Sequence, residues 1–519
     1  MDPACLRHTE IPGTSKLFAD FSYHFDRVAR FYRHNPQQRE SYAAASREIR
    51  YPDDRRAAVA RVLEAQNPGN ILVKQFAQPG TAAVITGQQV GLFSGPAYTV
   101  YKALTAARLA EDLKISGIPA VPIFWMATED HDFAEVDHVW IFDAKHHPVE
   151  LRTEAPTEWQ GTPRPAGTFR VDVPPIAELR KALAGFPYGE EMAAAVSDSY
   201  TAGSTMGAGF RTLLSKLLGG IGMLVVDPLD PKLRTIGAPF MEEALTAAPE
   251  LKKSLLARNK ELSGAGYHAQ VNIEENTSLF FLLENGERVT LRKKDAEFTA
   301  LKDRASDISP NALLRPVWQD YLFPTVAYVG GPGELAYFAQ SQVIYERLLG
   351  RMPVAVPRAS FTLLDSRAAR LLSRYGLALA DTLAPEESLR DRIAHALIPE
   401  SIAGLFADTS AEVIQRLDRL STGLETFDPT LTAALGKSRA KILHQFDKMR
   451  KKTERETLRR NERACEEARY LSALLYPHRH PQERFYSILP FLAEHGMDLV
   501  ERLYDVVQMN CPDHRVVTT

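Results

Sequence analysis

Charged side chains that could bind a substrate and transfer a proton occur close together in TEDHDFAEVDH, residues 128–138. The apolar run VPIFWMA is followed there by Glu129, Asp130, His131 and Asp132. Carboxylates at this point can hold the ammonium group or the hydroxyls of a substrate, and a histidine among them can transfer a proton near neutral pH. We expect the flanking aspartates to raise the pKa of His131. The structural alternative is an exposed acidic loop.

A second cluster is the glycine-rich segment TGQQVGLFSGP, residues 86–96. It stands between a β-branched run and a helical pattern, where bare backbone N–H groups can approach a phosphate or a carboxylate. Gly87, Gly91 and Gly95 therefore indicate a mononucleotide site, although their spacing matches neither the dinucleotide fingerprint nor the P-loop. The alternative is that these glycines serve only the geometry of the turn.

Two later segments could reach the same ligand. Gly330, Gly331 and Gly333 open a helix after a strand-like run, where they could contact a nucleotide or serve only as a helix cap. Arg358 and Ser360 follow the last candidate strand and could bind a phosphate or a carboxylate, although a surface arginine is the commoner outcome. The three cysteines lie far apart, so we expect no structural zinc and no metal site.

An alternation of strand and helix patterns positions these segments. The run AAVIT, the helical stretch after it and VPIFWMA form a βαβ unit, which predicts an α/β fold with a parallel sheet. Ligands bind such sheets beyond the carboxyl ends of the strands, where both clusters fall. The runs GMLVVDP, PTVAYVGG and PVAVP are further candidate strands, and Asn285-Gly286 predicts a β-hairpin.

Beyond residue 380 the pattern is helical. Between Ile414 and Met449, apolar residues recur three, four or seven positions apart, which predicts a coiled coil. One chain buries such a stripe poorly, so we expect a homodimer through this region. Asp428-Pro429 marks a break between two helices. The charged run at 447–469 predicts a solvated helix, with an RNA-contacting arm as the alternative.

Composition narrows the function classes. With 62 Lys and Arg against 65 Asp and Glu, the net charge is −3, so we expect no nucleic-acid partner. No apolar run reaches the roughly 18 residues of a membrane span, and the N-terminus lacks a signal-peptide pattern. We therefore expect no membrane partner and a cytoplasmic location.

Four long stretches resemble the bacillithiol synthase family, and together they extend over essentially the whole chain: TGQQVGLFSGPAYTVYKA, VPIFWMATEDHDFAEV, TVAYVGGPGELAYFAQ and QERFYSILPFLAEHG. The resemblance implies a ligase that adds L-cysteine to glucosaminyl malate through an amide bond in the last step of bacillithiol biosynthesis. It also implies a Rossmann-like core akin to class I aminoacyl-tRNA synthetases, connective insertions and a dimerising α-helical coiled coil.

The residue patterns and the resemblance together predict a division of the chain. The expected parts are N-terminal helices (1–75), the first half of the core (76–144), a connective insertion (145–220), the second half with a β-hairpin insertion (221–375), the coiled coil (376–478) and a C-terminal helical segment that packs on the core (479–519).

On this reading, activation of the cysteine carboxylate by ATP or another nucleotide precedes attack by the sugar amine. The nucleotide would contact Gly87, Ser94, Gly95, Gly330, Gly331, Gly333, Arg358 and Ser360. The substrates would contact Thr86, Gln88, Gln89, Tyr98 and Glu129. The catalytic residues would be His131, which takes the proton lost by the amine, together with Asp130 and Asp132.

The two ATP-binding signatures of class I synthetases are absent. The segment Ser94-Gly95-Pro96-Ala97-Tyr98 replaces the histidine-containing motif, and Pro357-Arg358-Ala359-Ser360 replaces the lysine-rich loop. Their loss motivates the alternative function, a non-catalytic coiled-coil adaptor whose synthetase-like body binds a small ligand.

Overall fold

The computed structural model describes residues 4–154, 159, 162–291 and 299–519. The contacts divide the chain into two compact units. The first comprises Met1–Leu363 and Glu483–Val517, and the second comprises Leu364–Gln482 and Thr518–Thr519. The finer six-part division expected from the sequence stays a prediction.

The first unit is built around a five-stranded parallel sheet, so the α/β expectation is confirmed. Its strands are Ala82–Gln88 (β1), Ala120–Met126 (β2), Leu224–Val226 (β3), Thr325–Gly330 (β4) and Val354–Pro357 (β5). In space they lie in the order β5-β4-β1-β2-β3, and each neighbouring pair is parallel. The order reverses between β1 and β4, and open α/β sheets bind ligands at such a reversal.

Burial on both faces explains the continuous apolar runs of the central strands. All residues of β2 and β4 are buried, as are those of β1 up to Gly87. Gly87 pairs with Trp125 of β2, and a Cβ atom at Gly87 would lie 2.8 Å from the Trp125 carbonyl oxygen. The first glycine of the turn is therefore required by the close approach of two backbones.

Helices cover the sheet and reach its carboxyl edge. Four of these helices are Tyr98–Ile115 (α1), Pro231–Gly264 (α2), Arg315–Leu322 (α3) and Pro332–Leu349 (α4). In the turn from β1 to α1, three consecutive residues have positive φ angles: Phe93, Ser94 and Gly95, at 49°, 74° and 65°. Two consecutive non-glycine residues in this region store backbone strain beside the site.

Further elements of the first unit surround this core. The sheet is preceded by helices at Lys16–Tyr23, Arg39–Glu48, Asp53–Gln66 and Ile71–Phe76. Between β2 and β3 lie strands His138–Phe142, Pro148–Arg152, Arg170–Val171 and Ser204–Thr205, and helices Ile176–Leu183, Gly189–Ser199 and Met206–Leu218.

The hairpin expected at Asn285-Gly286 is confirmed. Strands Phe280–Glu284 and Glu287–Thr290 pair antiparallel across this turn, and both turn residues have positive φ. Strand Ile308–Pro310 pairs with the other edge of Phe280–Glu284.

The last part of the chain returns to the first unit. After strand Phe361–Leu364 and the second unit come helices Gln482–Phe485, Leu489–His495 and Asp498–Asp505. Strand His514–Thr518 then pairs antiparallel with Ala4–Leu6 near the amino terminus.

The second unit is helical. Its shorter helices are Ser366–Tyr375, Leu379–Thr382, Glu386–Ala396 and Glu462–Leu475, and its long helices are Glu400–Phe427 (α5) and Pro429–Arg459 (α6). The expected break is confirmed, because Asp428 separates α5 from α6 and its side chain caps α6 by accepting from the Thr430 N–H. Within the described ranges, no helix has the length and apolar character needed to cross a membrane.

Candidate functional site

An open cleft of about 400 Å³ lies beyond the carboxyl ends of β1, β2 and β4. Its walls come from the turn after β1, from α1 and α3, and from the first turn of α4. The sequence-predicted residues that line it are Gly87, Gln88, Gln89, Tyr98, Asp130, Gly331, Gly333 and Arg358. Residues from four separate segments therefore meet at one site.

Other predicted residues do not line this cleft in the described part of the chain: Thr86, Ser94, Gly95, Glu129, His131, Asp132, Gly330 and Ser360. Thr86 is fully buried and donates from Oγ1 to the Val329 carbonyl oxygen at 2.9 Å. Its side chain joins β1 to β4 and does not face a ligand.

Glu129 faces a buried network. Its Oε2 accepts a hydrogen bond from Ser309 Oγ at 2.8 Å and lies 3.4 Å from Nη1 of Arg234. Its side chain is wholly inaccessible to solvent. The carboxylate thus links the end of β2 to α2 and to the strand at 308–310.

Asp130 is one of two carboxylates of this segment that line the cleft, and Glu135 is the other. Gln89 Nε2 donates to Oδ2 of Asp130 at 3.1 Å. Guanidinium nitrogens of Arg288 and Arg315 lie 3.6 and 4.0 Å from the nearest oxygen of the same carboxylate. Although burial acts to raise the pKa of Asp130, Arg315, Arg288 and the Gln89 hydrogen bond lower it. The side chain is therefore a fixed anion at the end of β2.

The expectation for the pKa of His131 is wrong in sign. Its Nδ1 lies 2.9 Å from Arg288 Nη1, and because a guanidinium can only donate, Nδ1 is the acceptor and Nε2 carries the proton. Burial and the charge of Arg288 lower the pKa of His131, outweighing Asp130 and Asp132, which act to raise it. The ring is held neutral, with its basic nitrogen already bonded.

Lys102 is a site residue that the motif analysis missed. It is 2% exposed, and its Nζ donates to the Gly87 carbonyl oxygen at 2.9 Å and to Gln88 Oε1 at 2.8 Å. It also forms an ion pair with Glu334. Burial lowers the pKa of Lys102, and Glu334 acts against this. The signal was present in the sequence, because Lys102 is the only charged residue between positions 97 and 107.

Glu334 completes this link across the sheet reversal. One carboxylate oxygen accepts from the Gly331 N–H at 2.8 Å, and the other accepts from the Tyr328 hydroxyl at 2.9 Å. Gly331 and Glu334 belong to the start of α4, whereas Lys102 belongs to α1. The Lys102–Glu334 pair thus joins the turn after β1 to the turn after β4.

Arg358 is fixed by a buried carboxylate. Its Nη1 and Nη2 donate to Glu483 at 2.8 and 2.7 Å, and both side chains are nearly inaccessible. Burial acts to raise the pKa of Glu483, but Arg358 outweighs it and the pKa falls to about 2. Arg358 also lies 5.3 Å from the centroid of the Tyr98 ring in the cleft wall.

Ser360 belongs to the network behind Arg358. Its Oγ donates to Glu483 at 2.7 Å and lies 2.6 Å from Nδ1 of His514, while Thr362 Oγ1 lies 2.7 Å from His514 Nε2. Burial lowers the pKa of His514 to about 4. Ser360 therefore contacts buried protein groups and not the cleft.

Two arginines of the cleft are suited to anionic ligands. The closest contact of Arg315 with the Asp130 carboxylate is 4.0 Å, which is too long for a direct hydrogen bond. Arg484 is exposed at the mouth of the cleft, 5.9 Å from the Tyr98 ring centroid. Guanidinium groups bind carboxylates and phosphates in paired hydrogen bonds, so either ligand type suits them.

Matches to known proteins extend over both parts of the chain. The sequence model for "Bacillithiol biosynthesis BshC, N-terminal Rossmann-like domain" matches residues 1–359, and the model for its C-terminal coiled-coil domain matches residues 361–519. Relatives named "Putative cysteine ligase BshC" include proteins of Solibacter usitatus, 51% identical over 528 residues, and Koribacter versatilis, 34% identical over 539 residues.

Both of these alignments extend over all of each chain. A relative of the same name from Symbiobacterium thermophilum is 32% identical over 531 residues, which cover 93% of this chain and 94% of the relative. The Rossmann-like and coiled-coil parts occur in the same order in the family and in this structure. This chain belongs to the bacillithiol biosynthesis BshC family.

Proposed function

We propose that the protein is a ligase that joins the carboxyl group of L-cysteine to the amino group of glucosaminyl malate, in the last step of bacillithiol biosynthesis. Family membership and the names of the relatives support the reaction class. The observation that carries the proposal is the cleft at the sheet reversal, which is lined by Asp130 and by two arginines, Arg315 and Arg484, that can bind anions.

The charges of the cleft suit both substrates. Cysteine carries an ammonium and a carboxylate, which the Asp130 and Arg315 side chains complement. Malate adds two carboxylates, which suit the exposed Arg484 at the mouth. In the reaction the amine nitrogen bonds to the carboxyl carbon of cysteine, a carboxyl oxygen leaves with the group that activates the carboxylate, and the nitrogen loses a proton.

We also propose that ATP drives the reaction. When bound, ATP would supply the group that activates the cysteine carboxylate. Gly333 and the amino-terminal end of α4 line the cleft and suit its phosphates, as does Arg484. Other expected contacts fit less well, since the Gly331 N–H is already donated to Glu334 and Ser360 lies in the buried network.

The direct test incubates purified protein with cysteine and glucosaminyl malate, with and without ATP, and measures product mass and ATP consumption. We expect a product heavier than glucosaminyl malate by one cysteine less one water, formed only with ATP. Tight binding of glucosaminyl malate without product under any condition would favour the adaptor alternative.

The variant His131→Asn tests the role of His131 as proton acceptor. Its basic nitrogen accepts from Arg288, so proton uptake would require the ring to leave that partner. We therefore expect His131→Asn to lower turnover less than about tenfold, below the usual contribution of a proton-transfer group. Steady-state rates at several pH values measure this. A loss of about 10²- to 10⁴-fold would restore the role of base expected from the sequence.

We propose that the protein is a homodimer through α5 and α6. No residue of α5 is buried, and Leu405, Leu420 and Phe427 are 62%, 50% and 83% exposed. An apolar stripe this exposed suits a second copy of the chain. Light scattering should report a dimer for the parent and a monomer for the variant Leu405→Glu/Leu420→Glu.

The control for this test is Glu412→Lys, an exposed change on the same helix that should leave the dimer intact. A parent protein that is monomeric at micromolar concentration would contradict the proposal.

We further propose a cytoplasmic location, which cell fractionation would test.

A further inference from the structure

The α3 side of the cleft holds a buried amide that lacks a partner for its oxygen. Arg315 and Gln319 are one helical turn apart on α3 and both line the cleft. Gln319 is 2% exposed, and its Oε1 has no hydrogen-bond partner among the described residues. Buried polar atoms are nearly always paired in folded proteins, so an unpaired amide in a cleft wall points to a ligand.

Trp125 presents a second unpaired group in the same wall. It is the last residue but one of β2, is 1% exposed and lines the cleft, and its Nε1 has no partner in the described ranges. Its ring packs edge-on against Trp318, with centroids 5.4 Å apart. The wall thus combines one hydrogen-bond acceptor and one donor with aromatic surface.

The terminal amide of Gln319 can adapt to a ligand. Rotation about the last side-chain bond has a broad energy profile and exchanges the oxygen and nitrogen positions. Either amide atom can therefore turn toward the cleft without a change in the rest of the side chain. Arg315 one turn earlier, with Asp130 across from it, places an opposite pair of charges beside this amide.

These groups match the chemistry of a thiol amino acid. A thiol is a weak hydrogen-bond donor and acceptor, and its sulfur packs favourably against aromatic rings. The neighbouring Asp130 and Arg315 complement an α-ammonium and an α-carboxylate. An apolar side chain of similar size would leave the buried amide and indole unpaired, which selects against it.

We propose that Trp125, Gln319, Asp130 and Arg315 form the subsite for the amino acid substrate, with the thiol against Gln319 and Trp125. The proposal rests on the ligase function above and names the side of the cleft that cysteine occupies. The sugar substrate then enters from the α1 side, where Arg484 lies at the mouth. The two reacting groups meet at the carboxyl ends of β1 and β4.

The test variant is Gln319→Leu, which keeps the shape of the side chain and removes the amide. We expect the KM for cysteine to rise by about tenfold or more, because the thiol loses its polar partner. The KM for glucosaminyl malate should stay within about threefold. The unfolding temperature should stay the same or rise, since an unpaired buried polar atom has been removed.

Gln340→Leu is the matched control. This glutamine is fully buried, and its amide accepts from the Val271 N–H at 2.9 Å and donates to Asn259 Oδ1 at 2.8 Å. The change should lower the unfolding temperature and leave the KM for cysteine unchanged. A merely structural Gln319 would behave like Gln340.

Trp125→Phe is the second variant and should raise the KM for cysteine in the same way, because it keeps the aromatic surface and removes the indole N–H.

If the parent forms product and both variants keep the parental KM for cysteine, the subsite is overturned while the ligase function stands. If the parent forms no product, the ligase function fails. Calorimetric titration of cysteine then decides the subsite, because equal affinity in the parent and in Gln319→Leu would overturn it.

Discussion

Replacing Lys102 by methionine is expected to reduce turnover by about 10²-fold or more, because displacement of groups in an active cleft by about 1 Å has effects of that size. Lys102 uses its three N–H bonds on the Gly87 carbonyl, on Gln88 and on Glu334. Without the ammonium, the turn after β1 and the turn after β4 lose their common partner. Steady-state kinetics with both substrates measure the loss.

The same change should lower the free energy of unfolding by roughly 3 kcal/mol, because it leaves the largely buried Glu334 carboxylate without its cation. Urea denaturation measures this. Adding Glu334→Gln to Lys102→Met should recover most of the stability but not the turnover, since the unpaired charge is removed while the two turns stay unlinked.

Lys114→Met is the control for this prediction, since Lys114 is exposed near the end of the same helix and should tolerate the change in both assays. Parental turnover in Lys102→Met would show that the cleft does not depend on the link between the two turns.

Acid is expected to destabilise the protein through His514. Burial lowers its pKa to about 4 from an ordinary value of 6.5. A histidine whose pKa is depressed in the folded state contributes stability that is complete above pH 6.5 and is lost as the pH falls toward 4. The loss amounts to roughly 3 kcal/mol by linkage.

A variant isolates this contribution from other titrating groups. Buried Asp320, whose pKa burial raises to about 7 against the effect of Arg351, has the opposite sign, since the folded state gains stability as the pH falls through 7. The contribution of Asp320 to stability is present in both the parent and His514→Gln, so it cancels when the two are compared. The variant should be less stable at pH 7.5 because its bonds to Ser360 and Thr362 are impaired.

That difference in the free energy of unfolding should shrink by roughly 3 kcal/mol between pH 7.5 and pH 4, because only the parent must charge a buried imidazole. Urea denaturation at several pH values measures it. A difference that does not change with pH would mean that His514 titrates alike in the folded and unfolded chain. Below pH 4.5 both proteins should lose further stability as Glu483, with a pKa of about 2, becomes protonated on unfolding.

The sequence by itself determined the features that depend on neighbouring residues. The strand run before Gly87, the hairpin at Asn285-Gly286 and the helix break at Asp428 all follow from local rules of burial, turn conformation and capping. The sequence also predicted that Gln88, Gln89 and the turn before α4 lie together, because the carboxyl ends of parallel strands meet at one edge of the sheet.

Side-chain direction within that edge was decided only by the tertiary structure. Glu129, Asp130 and His131 are consecutive, yet the first is buried against Arg234, the second lines the cleft and the third accepts from Arg288. Successive residues at the end of a strand point in different directions. The composition of the segment therefore indicated a site but did not tell which of its carboxylates reach the cleft.

Electrostatics likewise required the fold. Arg288 is 157 positions from His131 in the chain, and its charge together with burial reverses the pKa shift that the neighbouring aspartates suggested. Lys102 pairs with Glu334, and Arg358 pairs with Glu483, and both pairs also join residues more than 100 positions apart in the chain. A pKa depends on desolvation and on charges within a few ångströms, and both are set by which distant segments pack together.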